Sequence, residues 1–407
     1  MSGPTGWRAA IETRPPTLDP AMTYLDHAAS TPMRPEAIAA MVPYLADHPG
    51  NPSGAHAEAR AGKTALEEAR EVVAGILRRT PSEVVFTAGG SEADNLAIKG
   101  VARAARDRDG LDGVVTTAFE HKAVLAACAR LGAEGFRVVE TRVTADGIVD
   151  LDDLAAVLDA QTAVVSVMLV NNEVGTIQPL EQVAALVREH APRARLHTDA
   201  VQAVPWLDVG AATAAFDLIS ISGHKFGGPK GVGVLVVRDG VELQPEIEGG
   251  GQERGLRAGT VNVAGAVALA EALRVTHEQR ADEVARIRVL RDRLQAGLLA
   301  AIPDLLTNGD RGRAVAGNLH VGIPGVEAET LLVMLDAAGI CAAAGSSCSS
   351  GATEPSHVLA AMGMGTEDAL ASIRLSLGYA STDADIDAAL AAIPEAVRQL
   401  RPVGAGR

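Results

Sequence analysis

Aromatic side chains are almost missing from this chain: Phe, Tyr and Trp together make up 2% of its 407 residues. Its core is therefore expected to be filled by Ala, Val and Leu, small aliphatic groups that carry no polar atoms. Cysteine is equally scarce, with only Cys128, Cys341 and Cys348. An odd trio with no Cys-x-x-Cys pair excludes a disulfide scaffold and argues against a structural zinc site. Basic residues are outnumbered, 36 Lys and Arg against 51 Asp and Glu, for a formal net charge of −15. That balance speaks against a dedicated nucleic-acid or membrane-surface protein, which usually carries a basic face. No apolar run is long and unbroken enough to span a bilayer, and residues 1–20 lack the apolar stretch of a signal peptide. The expected setting is a reducing cytoplasm, with no membrane and no direct nucleic-acid partner. What is present is 47% apolar and 21% charged residues, the balance of a globular chain with a sizeable core. The length suits two or three domains of about 150 residues each.

Strand and helix signals alternate after a Pro-rich lead-in of about twenty residues. β-Branched runs at 84–87, 113–117, 162–170, 195–198, 217–222 and 233–237 read as strands. Several lack polar alternation, as strands covered on both faces do. Helical segments lie at 57–79, 92–108, 121–131, 151–160 and 180–190. This alternation implies an α/β domain with a mostly parallel sheet. A long helix is expected to follow Asn262 and to run through the charged stretch 278–293. Beyond it the pattern changes to strands at 315–321, 341–343 and 372–377 with helices at 328–338 and 383–400, a smaller α+β domain. The boundary is expected near residue 270.

Five segments could carry chemistry. In Thr87-Ala88-Gly89-Gly90-Ser91-Glu92-Ala93-Asp94-Asn95 a strand ends, two glycines turn the chain, and Ser91 and Asp94 stand at capping-box spacing. Free backbone N–H groups there suit a phosphate, or simply close an ordinary turn. Asp199-Ala200-Val201-Gln202 follows a strand, where the ligand crevice of an open α/β sheet lies. Asp199 could hold a positive ring nitrogen there, or be a solvated loop carboxylate. In 220–231 a strand runs into a glycine-rich loop with His224 and Lys225 side by side. A desolvated lysine can form a Schiff base, whereas most lysines are only surface charges. Cys348 lies among Gly and Ser in 343–351, a setting for a nucleophile or for an incidental thiol. Cys128 and Cys341 read as core fillers. Arg254 and Arg257 stand among glycines in 249–260, suited to an anion or a partner chain, or to a solvated linker.

Taken in order, these segments resemble the cysteine desulfurases, pyridoxal-phosphate enzymes of the class V aminotransferase group. The resemblance runs from Tyr24-Leu25-Asp26-His27-Ala28-Ala29-Ser30-Thr31-Pro32 to about Leu400. It includes Gly50-Asn51-Pro52-Ser53, Asn95-Leu96-Ala97-Ile98-Lys99-Gly100, Glu120-His121-Lys122-Ala123-Val124 and Val170-Asn171-Asn172-Glu173-Val174-Gly175. It continues through Ile373-Arg374-Leu375-Ser376-Leu377-Gly378. The Gly-His-Lys and Gly-Ser-Ser-Cys segments are the most specific. The resemblance implies a fold-type I α/β transferase with a large domain around a mostly parallel sheet and a smaller α+β domain. The expected division is an N-terminal segment 1–33 packing with the small domain, a cofactor-binding domain 34–269, and a small domain 270–407 carrying the cysteine loop.

The family roles carry over residue by residue as expectations. Lys225 would hold pyridoxal 5'-phosphate through a Schiff base and later move the substrate's α-proton. Asp199 would pair with the ring nitrogen and His121 would stack on the ring and shuttle protons. Gln202 would donate to the ring's phenolic oxygen, and Asn172 would lie near ring and substrate. Gly90, Ser91, Ser222 and His224 would hold the phosphate, with Thr260 supplied to the neighbouring subunit of a homodimer. Arg374 would clamp the carboxylate of L-cysteine. Cys348 would take the sulfur as a persulfide, leaving L-alanine, and by analogy would serve as a transient iron–sulfur ligand during delivery. The acceptor would be a scaffold protein for iron–sulfur clusters or a tRNA-thiolation enzyme. The long segment from Cys348 to His357 resembles the long-loop branch, which hands sulfur directly to scaffolds. Departures are Ala88-Gly89-Gly90-Ser91 where many relatives have Ser-Gly-Ala-Thr, Ala258 where Ser is frequent, Ser347 before the cysteine in place of Ala, and Tyr379 where many carry Arg. Other readings are a selenocysteine lyase, a cysteine-sulfinate desulfinase, or a non-catalytic structural or regulatory partner. Retained selenocysteine cleavage in Cys348→Ala would mark the lyase, and a colourless protein that cannot take up the cofactor would mark the non-catalytic partner.

Overall fold

The structure is a computed structural model that describes residues 22–344 and 355–401. Its strands are β1 (Thr23–Tyr24), β2 (Val84–Thr87), β3 (Gly113–Thr117), β4 (Arg137–Thr141), β5 (Thr162–Ser166), β6 (Arg195–Asp199), β7 (Leu218–Ser222), β8 (Gly233–Val237), β9 (Leu306–Thr307), β10 (Asn318–Gly322), β11 (Ile340–Cys341), β12 (Ala343–Ala344) and β13 (Ser372–Ser376). The helices are α1 (Pro35–Ala46), α2 (Ala57–Ile76), α3 (Gly90–Asp109), α4 (Lys122–Ala133), α5 (Leu151–Val157), α6 (Leu180–His190), α7 (Val209–Ala212), α8 (Val263–Ala301), α9 (Ala328–Ala337), α10 (His357–Ala361), α11 (Thr366–Leu370) and α12 (Asp383–Leu400).

A seven-stranded sheet in the order β2-β8-β7-β6-β5-β3-β4 forms the centre. Only β8 runs against its neighbours, so the sheet is mostly parallel, as the strand–helix alternation implies. Every residue of β2, β3, β5, β7 and β8 is buried, which explains their unbroken β-branched runs. One face packs on Leu96, Val101 and Leu131 of α3 and α4. The other packs on Leu66, Val73, Val183 and Leu269 of α2, α6 and α8.

A second, antiparallel sheet has the order β12-β13-β10-β9. It packs with α9, α12 and the distal half of α8 through Leu294, Leu319, Leu335, Ile373 and Ile393. The chain start joins this region, because β1 pairs with β11 and Asp26 bridges to Ser376. Helix α8 is 39 residues long, about 58 Å at 1.5 Å per residue, and it runs unbroken from one cluster to the other.

Two sequence expectations need correction. The strand expected over 162–170 ends at Ser166, although Val167 N and Leu169 N still donate to His197 O and Asp199 O of β6. The capping-box reading of Ser91 and Asp94 also fails. Gly89 is the N-cap, with φ +150°, so the helix begins at Gly90 and Ser91 already lies within its first turn. That shift of register turns Asp94 inward.

Candidate active site

In a parallel sheet the carboxyl ends of the strands share one edge, and that edge assembles this site. β7 ends at Ser222 and passes into a 3₁₀ turn, Gly223–Lys225. The Lys225 ammonium donates to Ala28 O at 2.6 Å and to Ala29 O at 2.9 Å. β6 ends on Asp199, which is 4% exposed and accepts from Val201 N at 2.8 Å. Burial raises the pKa of Asp199, against the opposing pull of the charges on His121 and Lys225. His121 is the N-cap of α4, and its Nδ1 accepts from Ala123 N at 3.1 Å. The three groups thus face one another across strand ends more than twenty residues apart in sequence.

Beside them lies a cleft of about 580 Å³ lined by Ser30, Gly89, Gly90, Ser91, Ser222 and His224 among others. Gly90 allows no larger residue, since a Cβ there would sit 2.7 Å from Val201 Cγ2. Burial, then the charges of Lys225 and Lys230, push His224 down to about 4. Gln202 Nε2 donates to Ala28 O at 2.8 Å.

Arg374 stands on β13 with 2% exposure. Its Nη1 donates to Asn172 O at 2.7 Å and its Nη2 pairs with Asp26 Oδ1 at 2.9 Å. Arg374 Nε and Asn172 Oδ1 are buried without a hydrogen-bond partner in the structure. Orphaned polar atoms of this kind invite a polar ligand. Ser356 Oγ donates to Glu173 Oε2 at 2.5 Å, and His357 Nε2 donates to Glu120 O at 2.9 Å. These two bonds seat the residues that follow 345–354 against the segments bearing Asn172 and His121.

The donor set fits pyridoxal phosphate. An amine, a buried carboxylate for a cationic ring nitrogen, an imidazole and a small-residue cleft at a helix start answer the carbonyl, ring and phosphate of that group. Lys225, Asp199, His121, Asn172, Gln202, Gly90, Ser91, Ser222, His224 and Arg374 all stand at the joined strand ends or on β13 beside them. Thr260 does not join them: it is exposed and does not line the cleft. Cys348 lies outside the described residues.

The arginines of 249–260 are engaged within the chain, so the segment is not simply a solvated linker. Arg257 Nε pairs with Glu92 Oε1 at 2.9 Å and Arg254 Nη2 donates to Val84 O at 2.8 Å. Cys128 is buried, whereas Cys341 is only half-buried and is no core filler. Sequence reasoning gave no role in the site to Asp94, Glu120 and His197, all fully buried titratable groups beneath it. The available signal was a charged residue inside an apolar helical face, since Asp94 shares its face with Ala97 and Val101.

Comparison with known proteins bears on the same chain. Residues 23–389 match the family model for aminotransferase class-V. An IscS-like cysteine desulfurase of Mycobacterium tuberculosis is 45% identical over 93% of this chain and 97% of its own length. The cysteine desulfurase IscS of Methanosarcina thermophila is 42% identical over 93% of this chain and 92% of its own. A solved NifS-like protein superposes with a TM-score of 0.87 at 35% identity, covering 93% of this chain and all of its own. The chain therefore belongs to the class-V aminotransferase family and, inside it, to the cysteine desulfurases.

Proposed function

We propose that this protein is an L-cysteine desulfurase that works with pyridoxal 5'-phosphate, the cofactor of its family. The observation that carries the reading is the meeting of Lys225, His121 and the buried carboxylate of Asp199 beside a cleft suited to phosphate. When bound, the cofactor supplies an electrophilic carbonyl carbon and a ring that draws electrons from the substrate's Cα. Lys225 Nζ holds the cofactor and later moves the Cα proton. Asp199 would keep the ring nitrogen protonated, Gln202 would donate to the ring's phenolic oxygen, and His121 would stack on the ring and relay protons. Gly90, Ser91, Ser222 and His224 take the phosphate, with Thr260 reaching it from a second copy in a homodimer. Arg374 and Asn172 orient the substrate carboxylate; a guanidinium suits that planar partner better than an ammonium.

The Sγ thiolate of Cys348 attacks the sulfur of the bound cysteine. An S–S bond forms as the substrate's Cβ–S bond breaks, and the electron pair left on the three-carbon fragment takes up a proton to give L-alanine. The persulfide then passes to an acceptor protein in the cytoplasm, for iron–sulfur clusters or tRNA thiolation, with Cys348 a transient cluster ligand. No helix among the described residues is long and apolar enough to cross a membrane.

Mass spectrometry after incubation with cysteine tests the reading. The peptide bearing Cys348 is expected to gain the mass of one sulfur atom, and Lys225→Ala is expected to lose the visible band. Alanine production with an unmodified Cys348 peptide would overturn the assignment of the nucleophile.

A further inference from the structure

Beneath Asp199 lies a second carboxyl that the chemistry above leaves unused. Asp94 is 1% exposed. A carboxyl oxygen of Asp94, one of Asp199 and a ring nitrogen of His121 all lie within 4.8 Å of one another. Asp94 Oδ1 has no hydrogen-bond partner in the structure. Behind it stands His197, whose Nε2 is 3.6 Å from Asp94 Oδ1 and 3.0 Å from Ser220 Oγ. The other ring nitrogen, Nδ1, faces Ser166 Oγ at 2.8 Å. Burial pushes His197 down to about 3, so the ring is neutral and offers a single N–H. With the Ser166 hydroxyl donating to Nδ1, the Nε2–H is directed to Ser220 Oγ, and the Ser220 hydroxyl is left to donate to Asp94.

Burial, then the charges of Asp199 and Glu120, raise the pKa of Asp94 against the pull of the Ser220 hydroxyl, while His197 beside it is neutral and His121 faces both carboxyls. Two buried carboxyls this close do not both carry charge, because like charges in a dry site repel strongly. His121 and Lys225 pull the charge onto Asp199. The proton therefore falls to Asp94. We propose that Asp94 is a positioning residue: it holds the one proton shared by the two carboxyls, so that Asp199 alone presents a negative charge to the ring nitrogen of the bound cofactor. Ser166, His197 and Ser220 hold Asp94 in that orientation from behind. The inference rests on the reading of Asp199 as the ring-nitrogen partner.

The test uses the cofactor-loaded protein with Asp94→Asn and Asp94→Leu. The amide of Asp94→Asn supplies an N–H where the carboxyl had its proton. The pH midpoint of the visible band is therefore expected to stay at the wild-type value. Asp94→Leu offers neither donor nor acceptor, and retention of pyridoxal phosphate on dialysis should weaken by about tenfold, the size of one hydrogen bond to a charged group. A midpoint lowered by about one pH unit in Asp94→Asn would show that a charge had been removed and would overturn the proposal. A folded Asp94→Leu protein with wild-type retention would overturn it as well. Should Asp94→Leu fail to fold, the Asp94→Asn titration decides alone. Sulfur transfer to Cys348 is followed in the wild-type protein in parallel, so that a failure of the desulfurase reading is seen separately.

Discussion

Individual side chains under the sheet edge set the charge of the site. Glu120 is fully buried; its Oε1 accepts from Thr117 Oγ1 at 2.9 Å and from Met168 N at 2.8 Å. Burial raises its pKa to about 8. The fold thus favours the protonated acid, a preference present in full below the unfolded value and lost as pH climbs through about 8. Glu120→Gln keeps the acceptor and removes the titration. Wild type is expected to lose about 4 kcal/mol relative to Glu120→Gln between pH 5 and pH 9. Urea unfolding at the two pH values checks this, and parallel losses in both proteins would contradict it. At this scale the sequence was readable where a chemical residue type followed a strand, as with Asp199 and Lys225. It was not readable where the residue pointed under the site: Asp94 looked like a cap, and only the left-handed Gly89 reveals that the helix begins earlier.

Secondary-structure elements were legible in proportion to how evenly they are buried. β2, β3 and β8, buried along their whole length, have the boundaries that their composition implies. β4 escaped notice because it is a half-exposed edge strand whose Arg137 and Glu140 dilute the apolar signal. α1 escaped because prolines stand at its first position and inside it, Pro35 and Pro43. The residue before α1 also ties elements together. Arg34 is 4% exposed and pairs with Glu283 of α8 at 2.9 Å. Its backbone N–H donates to Gly227 O, just past Lys225, at 2.8 Å. Its guanidinium lies 4.2 Å from the Tyr379 ring centroid. Tyr379, one of the departures from the family pattern, therefore packs on a cation within this chain. Arg34→Ala should cost roughly 3 kcal/mol, as breaking one side of a buried pair does, with calorimetry as the check. A loss near zero would mean that the pair is solvated.

Across the whole molecule, α8 joins the two hydrophobic clusters through a mid-section, 277–286, that is mainly exposed. Its Leu269 and Leu273 pack in one cluster, and its Leu290 and Leu294 in the other. Unfolding is therefore expected as one coupled transition. Ala281→Pro, in the exposed stretch, breaks the helix at a cost of about 3 kcal/mol and should split the calorimetric trace into two. A single peak that merely moves down would show that contacts outside α8 do the coupling. The first described residues have a role of another kind. They pair with β11 beside the small sheet and bridge to its Ser376, yet Ala28 and Ala29 supply the carbonyls around Lys225 Nζ, and Asp26 grips Arg374. A protease nick or a bulky fusion reaching Asp26 would leave both sheets standing and still unseat the amine and the carboxylate clamp. Such a trimmed protein would be a well-shaped molecule without chemistry, and preparations with ragged front ends would vary in specific activity at constant solubility.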